Sequence, residues 1–195
     1  MYQGNSLIII PSYNEAENIV DIINDVLIQK ESFHLLIVDD NSPDKTYELV
    51  EEEIIKNPKK IFLIKREKKS GLGSAYLAGF KWAIEHGYEK IFEMDADYSH
   101  DPKDLLRMNV FLDNDGYDVV IGSRYVSGLN VVNWPIQRVL LSYFASIYAR
   151  LITGVPVKDL TSGFVGYKVN VLKSILKENI RSVSYTHLTL PTTGV

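Results

Sequence analysis

Asp95-Ala96-Asp97 closes the apolar run Ile91-Phe92-Glu93-Met94 and is followed by Tyr98-Ser99-His100-Asp101-Pro102. On an extended backbone, side chains two residues apart point to the same side. The spacing therefore predicts two carboxylates converging at the carboxyl end of a strand. Close carboxylates repel each other unless a cation, usually a hard divalent metal, sits between them. Such a metal can neutralise charge that develops on a leaving group. The competing reading is a solvated loop whose acids precede a helix opened by Pro102. His100 is either a ligand or base of such a site, or a structural histidine at the helix start.

A second constellation lies further along. Asn133 and Pro135 open an apolar segment that runs to about Thr153 and stops at Gly154. Arg138, Ser142, Ser146 and Arg150 recur every four residues in it, amid Val139, Leu140, Leu141, Phe144, Ile147, Leu151 and Ile152. At helical spacing these form one narrow polar stripe on an otherwise apolar helix, which is buried or lies against a membrane. Arg138 and Ser142 are neighbours on adjacent turns, suited to holding a phosphate. The alternative is a core helix whose arginines reach out to water.

Elements that could position these groups are legible upstream. Leu7 to Pro11, Leu35 to Asp40, Ile61 to Ile64, Ile91 to Met94 and Asp118 to Gly122 are short apolar runs of the kind buried on both faces of a sheet. Between them, Asn14 with Glu17 predicts a capped helix carrying Ile19, Ile22, Ile23 and Val26 on one face. Ser42-Pro43 predicts a second helix start, and a third helix spans about Gly73 to His86, stopped by Gly87. Strands alternating with amphipathic helices imply α/β architecture, a mostly parallel sheet with helices on both faces. Ligands of such sheets gather beyond the carboxyl ends of the strands. Pro11 to Glu15, Asp39 to Asp44, Lys65 to Gly73, Asp95 to Asp101 and Ser123 to Tyr125 all follow strands.

Bulk properties exclude several classes. The 195 residues, 46% hydrophobic and 24% charged, suffice for one domain with a sizeable core. A formal charge of -4 argues against a nucleic-acid partner, and the absence of cysteine excludes disulfides and thiolate metal sites. No uncharged apolar stretch reaches the ~18 residues needed to span a bilayer. Gly71-Leu72-Gly73 opens like a dinucleotide fingerprint, but Tyr76 occupies the third glycine position and the turn follows the third strand. There is no G-x-S-x-G elbow of a serine hydrolase.

Seven motifs in order resemble the dolichyl-phosphate (polyprenyl-phosphate) mannosyltransferases of glycosyltransferase family 2, which have the GT-A fold. They are Pro11-Ser12-Tyr13-Asn14-Glu15, Val38-Asp39-Asp40-Asn41-Ser42-Pro43-Asp44-Lys45-Thr46, Gly71-Leu72-Gly73-Ser74-Ala75-Tyr76, Met94-Asp95-Ala96-Asp97, Gly122-Ser123-Arg124-Tyr125, Trp134-Pro135 and Asp159-Leu160-Thr161-Ser162-Gly163-Phe164. The resemblance implies a Rossmann-like GT-A sheet and inverting, metal-dependent transfer of mannose from GDP-mannose to a polyprenyl phosphate at the cytoplasmic face of a membrane. By position, Pro11, Tyr13, Glu15, Val38 and Asp40 would bind the nucleoside of the donor. Asp95, Ala96 and Asp97 would lie beside the nucleotide, with Mg2+ or Mn2+ on Asp95 and Asp97. Arg124, Arg138 and Ser142 would hold the acceptor's lipid phosphate, and Asp95, Asp97 and Arg124 would carry the catalysis. Ser99 stands where relatives often have a glutamine, leaving Ser99 or water as the third metal ligand. Val165 stands where a basic residue often follows Gly-Phe.

The resemblance covers roughly residues 5 to 180 and implies one domain over 1–181, incomplete at its carboxyl end. Relatives continue into another strand and a basic loop over the diphosphate, whereas 182–195 is Thr-rich, follows neither periodicity and is expected to be a non-native tail outside the core. Two other functions fit the same motifs. One is a transferase using UDP-glucose or another nucleotide sugar, acting on a polyprenyl phosphate or on a sugar hydroxyl; the hydroxyl would require a base, for which Asp159 is the nominee. The other is a truncated nucleotide-binding module without activity.

Overall fold

The computed structural model describes residues 5–30, 32–113, 116–123, 147–148, 151–152, 154, 159 and 162–177. Its strands are β1 (Ser6–Ser12), β2 (Phe33–Asp39), β3 (Ile61–Lys65), β4 (Lys90–Glu93), β5 (Val119–Ile121) and β6 (Val165–Lys168). They form one sheet in the order β3-β2-β1-β4-β6-β5. β3, β2, β1 and β4 pair in parallel, while β6 runs antiparallel to both β4 and β5. β5 therefore points the same way as β1 to β4, so five carboxyl ends face one side.

The apolar runs explain the layering. Ile8 and Ile10 face helices α1 (Ile19–Leu27), α2 (Thr46–Lys56) and α4 (Asp104–Asp113), in a core with Ile19, Ile22, Ile23, Val26, Val50, Leu105 and Met108. Leu7 and Ile9 alternate to the opposite face, against α3 (Leu72–Glu85) and α5 (Val169–Lys177), through Ala75, Tyr76, Phe80, Ala83 and Leu172. The mostly parallel α/β sheet with helices on both faces is thus present.

Two helix starts differ from expectation. Asn14 does not cap α1: it has φ 60°, and the helix begins only at Ile19, after a turn in which Glu15 accepts from Asn18 and Ile19. Pro43 likewise lies in a turn before α2, whose first residue follows Lys45 at φ 64°. The sequence also concealed β6, which inserts between β4 and β5. It is four residues long and contains Gly166.

That glycine is required by packing. A Cβ on Gly166 would lie 2.6 Å from Cε1 and 2.8 Å from Cδ1 of the fully buried Phe92. Gly166→Ala is expected to cost about 1–3 kcal/mol through overpacking, seen as a lower denaturation midpoint with an unchanged slope.

Within β2, buried His34 bonds through Nδ1 to the Tyr88 hydroxyl at 2.8 Å. Burial, followed by the nearby charge of Lys60, lowers its pKa. The unfolded chain then binds the proton more readily than the folded one, so this contribution to stability is present above the ordinary histidine value and lost as pH falls below it. Unfolding midpoints of the wild type and His34→Gln, followed from pH 7.5 to 5, are expected to converge as pH falls.

Candidate functional site

Three strand-end loops are tied together by short polar side chains. Asp39, fully buried at the end of β2, accepts from Ser12 Oγ at 2.9 Å, from the Ser42 backbone N–H at 2.9 Å and from Ser42 Oγ. Ser42 Oγ in turn accepts from Asn14 N, Thr46 Oγ1 accepts from Glu15 N, and Asp44 Oδ2 accepts from Ala16 N. The loops after β1 and β2 are therefore one unit. Asn14, Asn41, Lys45 and Tyr98 all adopt positive φ in loops that follow strands. Such backbone costs roughly 1 kcal/mol or more per residue and persists only where surroundings over-determine it.

Asp40 does different work. Its Oδ1 lies 2.9 Å from Arg66 Nη1 without regular hydrogen-bond geometry, an ionic contact, while Oδ2 accepts from Ser70 N at 3.0 Å. Arg66 also donates through Nη2 to Ser74 Oγ at 2.7 Å, so Asp40 pins the β3–α3 loop down. Within that loop, Lys69 Nζ stands 3.8 Å over the centroid of the Tyr13 ring.

Asp95 and Asp97 lie beyond the end of β4, which stops at Glu93, so strand alternation does not align them as the spacing suggested. A tight turn brings them to the same cavity instead. Tyr98 holds φ 58° there and donates through its hydroxyl to Asp25, while Ser99 N donates to Asp97 Oδ1 at 2.9 Å. Tyr76 donates to Asp95 Oδ1 at 3.2 Å. His100 accepts the Asp95 backbone N–H on Nδ1 at 3.1 Å, and its Nε2 lies 3.9 Å from Asp95 Oδ2. The imidazole is buried and stacked on Phe164, with ring centroids 4.8 Å apart.

Burial, with neighbouring carboxylates adding to it, raises the pKa values of acids around the cavity. Burial raises the Asp95 pKa, with Asp97 adding to the rise while His100 and Tyr76 oppose it. Burial also raises that of Glu15, opposed by Asn18 and augmented by Asp97, Asp44 and Asp95. Glu93, behind the site and bonded to Tyr167, is pushed up to about 8, chiefly by burial.

A cavity of 310 Å³ opens among these loops, lined by Pro11, Ser12, Tyr13, Glu15, Asp40, Lys69, Gly71, Leu72, Ala75, Asp95, Ala96 and Asp97. It gathers seven of the eight residues nominated for the donor. Val38 is the exception: its side chain is fully buried in the core on the α3 face, although its strand partner Pro11 reaches the cavity. Ser12, Lys69, Gly71, Leu72 and Ala75 were not nominated. Lys69 was hidden within the charged run 65–69, which by composition looks like an ordinary solvated loop. Ser99 is half-buried and contacts Asp97 through its backbone. Asp159 is fully buried. Arg124, Arg138, Ser142 and the 182–195 tail lie outside the described residues, as does most of the segment from Trp134 to Thr153.

The donor set suits a hard divalent ion. Two carboxylates, one of them held from both sides, face a cavity whose other charged lining groups are Glu15, Asp40 and Lys69. No third His, Cys, Asp or Glu joins them in a metal cage among the described residues. Oxygens from a bound ligand or water would have to complete the shell.

Solved structures define the class to which this fold belongs. A mannosyltransferase of Pyrobaculum calidifontis, determined with GDP-Man and Mn2+, superposes with a TM-score of 0.59 at 20% identity, over 89% of this chain and 48% of that one. Glucosyl-3-phosphoglycerate synthase of Mycobacterium tuberculosis, with Mn2+, UDP and phosphoglyceric acid, gives 0.62 at 18% identity, over 87% and 57%. The fold is the GT-A glycosyltransferase fold. Residues 7–176 match the glycosyl transferase family 2 profile, and the chain belongs to that family of enzymes.

Among curated relatives, it is 43% identical to a polyprenol monophosphomannose synthase of Mycolicibacterium smegmatis, over 92% of this chain and 68% of that protein. It is 38% identical to an undecaprenyl-phosphate mannosyltransferase of Micrococcus luteus, over 92% and 72%. It is 37% identical to a dolichol-phosphate mannosyltransferase of Pyrococcus furiosus, over 86% and 47%. The chain thus spans about two thirds of the two bacterial relatives and about half of the archaeal relative and of the solved structures.

Proposed function

We propose that the chain transfers mannose from GDP-mannose to a polyprenyl phosphate, with inversion at the sugar and a divalent cation on Asp95 and Asp97. The observation that carries this reading is the cavity itself. Glu15, Asp40, Asp95 and Asp97 face it together with one ammonium, Lys69, among the described lining residues. Asp40 is already met by Arg66, which leaves Glu15, Asp95 and Asp97 against one ammonium. A nucleoside diphosphate brought against these acids is favoured by an accompanying cation. The named activities of the curated relatives and the GDP-Man and Mn2+ of one structural neighbour support the choice of sugar, lipid and metal.

The nucleoside would occupy the end formed by Pro11, Tyr13 and the Arg66-bound Asp40, where Tyr13 offers an aromatic ring. The diphosphate would lie toward Asp95, Ala96 and Asp97. Mg2+ or Mn2+, when bound, neutralises charge on the leaving diphosphate. The acceptor is a phosphate monoester with a second pKa near ~6, ionised at neutral pH and already nucleophilic. It needs positioning rather than a strong base, which Arg124, Arg138 and Ser142 would supply. Near that segment, Tyr148, Leu151 and Ile152 are helical and 67%, 79% and 66% exposed, which suits contact with a membrane surface at its cytoplasmic face. No helix among the described residues is long and apolar enough to cross a membrane.

A transfer assay with a short polyprenyl phosphate and Mn2+ tests the reading, offering GDP-mannose and UDP-glucose in parallel. Mannosyl transfer without glucosyl transfer is expected; glucosyl transfer at the same or a higher rate would replace the donor assignment. Arg138→Ala is expected to lower turnover at limiting lipid phosphate by about tenfold or more, the worth of one charge-assisted phosphate contact. Unchanged turnover would remove Arg138 from the acceptor site.

A further inference from the structure

We infer that Tyr76 and His100 are positioning residues for Asp95, holding its carboxylate in the orientation that accepts the divalent cation. The inference rests on the metal reading above and deepens it. Asp95 follows the last residue of β4 by two, on irregular backbone with no ladder to fix it. A side chain in such a place would ordinarily sample several rotamers. Here three chain segments converge on it. Tyr76, 3% exposed on α3, donates its hydroxyl to Oδ1 at 3.2 Å. His100 accepts the Asp95 N–H on Nδ1. In the neutral ring that leaves the proton on Nε2, the nitrogen 3.9 Å from Oδ2. Gly163, just before β6, lies within reach of both groups: a Cβ there would be in ordinary contact, 3.6 Å from Asp95 Oδ2 and from His100 Cε1.

Neither positioning group is itself loosely held. The Tyr76 ring stacks on Phe80 with centroids 6.1 Å apart and planes 22° apart. The His100 ring stacks on Phe164 with planes 11° apart. Each side of the Asp95 carboxylate therefore meets a polar group whose own orientation is set by aromatic packing. Groups that orient a metal-binding side chain are worth roughly 10- to 100-fold in metal affinity when removed. Neither residue needs to touch the cation or substrate to have that effect.

The two residues can be separated experimentally. Tyr76→Phe removes the hydroxyl and keeps the ring on Phe80. His100→Asn keeps an acceptor for the Asp95 N–H, since asparagine Oδ1 can take the place of Nδ1, but loses the group opposite Oδ2. Mn2+ binding in the presence of GDP, read from the free-ion paramagnetic resonance signal, is expected to weaken about tenfold in Tyr76→Phe and severalfold in His100→Asn. GDP affinity in EDTA is expected to stay at its wild-type value, which a merely structural role would shift. The unfolding midpoint of His100→Asn is expected to fall, because the variant gives up the buried ring stacked on Phe164. If Tyr76→Phe fails to fold, His100→Asn carries the test. Wild-type Mn2+ affinity in both variants would overturn the inference and leave the metal reading standing. Absence of Mn2+ binding by the wild type with GDP would overturn both.

Discussion

Asp95→Asn is expected to abolish metal-dependent sugar transfer, lowering it by about 10³-fold or more. A bound divalent ion contributes several kcal/mol of charge stabilisation, and a loss of ~4 kcal/mol corresponds to about three powers of ten in rate. Asparagine is isosteric and can still accept from the Tyr76 hydroxyl, so the turn should keep its shape. Stability should move the other way. Burial raises the Asp95 pKa, so in the metal-free protein its ionised form is a cost that grows as pH rises above the ordinary carboxylate value. Asparagine removes that cost. In EDTA near pH 7 the variant should therefore unfold at the same temperature as the wild type or a higher one. Loss of transfer accompanied by a lower midpoint would point to a damaged fold rather than a lost ligand.

The second large effect is expected two strands away, at the end of β2. Asp39→Ala removes a buried carboxylate that accepts from Ser12 Oγ, Ser42 N and Ser42 Oγ. Hydrogen bonds to a charged acceptor are worth about 1.5–3 kcal/mol each, and the Ser42 N–H would be stranded, so a loss of about 3–5 kcal/mol is expected. The damage should spread through Ser42 to Asn14, whose N–H it holds, and so to the Tyr13 side of the cavity. Equilibrium denaturation checks the stability. Nucleotide affinity, measured below the unfolding transition, checks the reach into the site. Two adjacent aspartates thus divide their labour: Asp39 knits loops together, while Asp40 lines the cavity and anchors Arg66 and Ser70.

That division was only half legible in the sequence. β1 and β2 could be read because each holds a continuous run of β-branched and aliphatic residues buried on both faces, Leu7 to Ile10 and Leu35 to Val38. β6 could not: Val165-Gly166-Tyr167-Lys168 has no periodicity of its own, and its place is fixed by Phe92 filling the space over Gly166. The helix starts at Asn14 and Pro43 were misplaced because both residues instead serve strand-end turns cross-linked by Ser42 and Thr46, a tertiary feature. For Asp95 and Asp97 the spacing identified the pair but not the device that joins them, which is a turn strained at Tyr98 rather than a strand. Val38 matches a motif, yet burial takes its side chain out of the cavity. Lys69 gave no signal, because its significance lies in standing over Tyr13, far away in sequence.

The central claim is that Asp95 and Asp97 make a cation-dependent nucleotide-sugar site. Titration calorimetry of GDP-mannose into the wild-type chain, in Mn2+ and then in EDTA, tests it most directly. Affinity is expected to be at least tenfold higher with Mn2+, a difference of about 1.4 kcal/mol, and that gain should vanish in Asp95→Asn. Equal affinity in Mn2+ and EDTA, or a full Mn2+ gain in Asp95→Asn, would contradict the account.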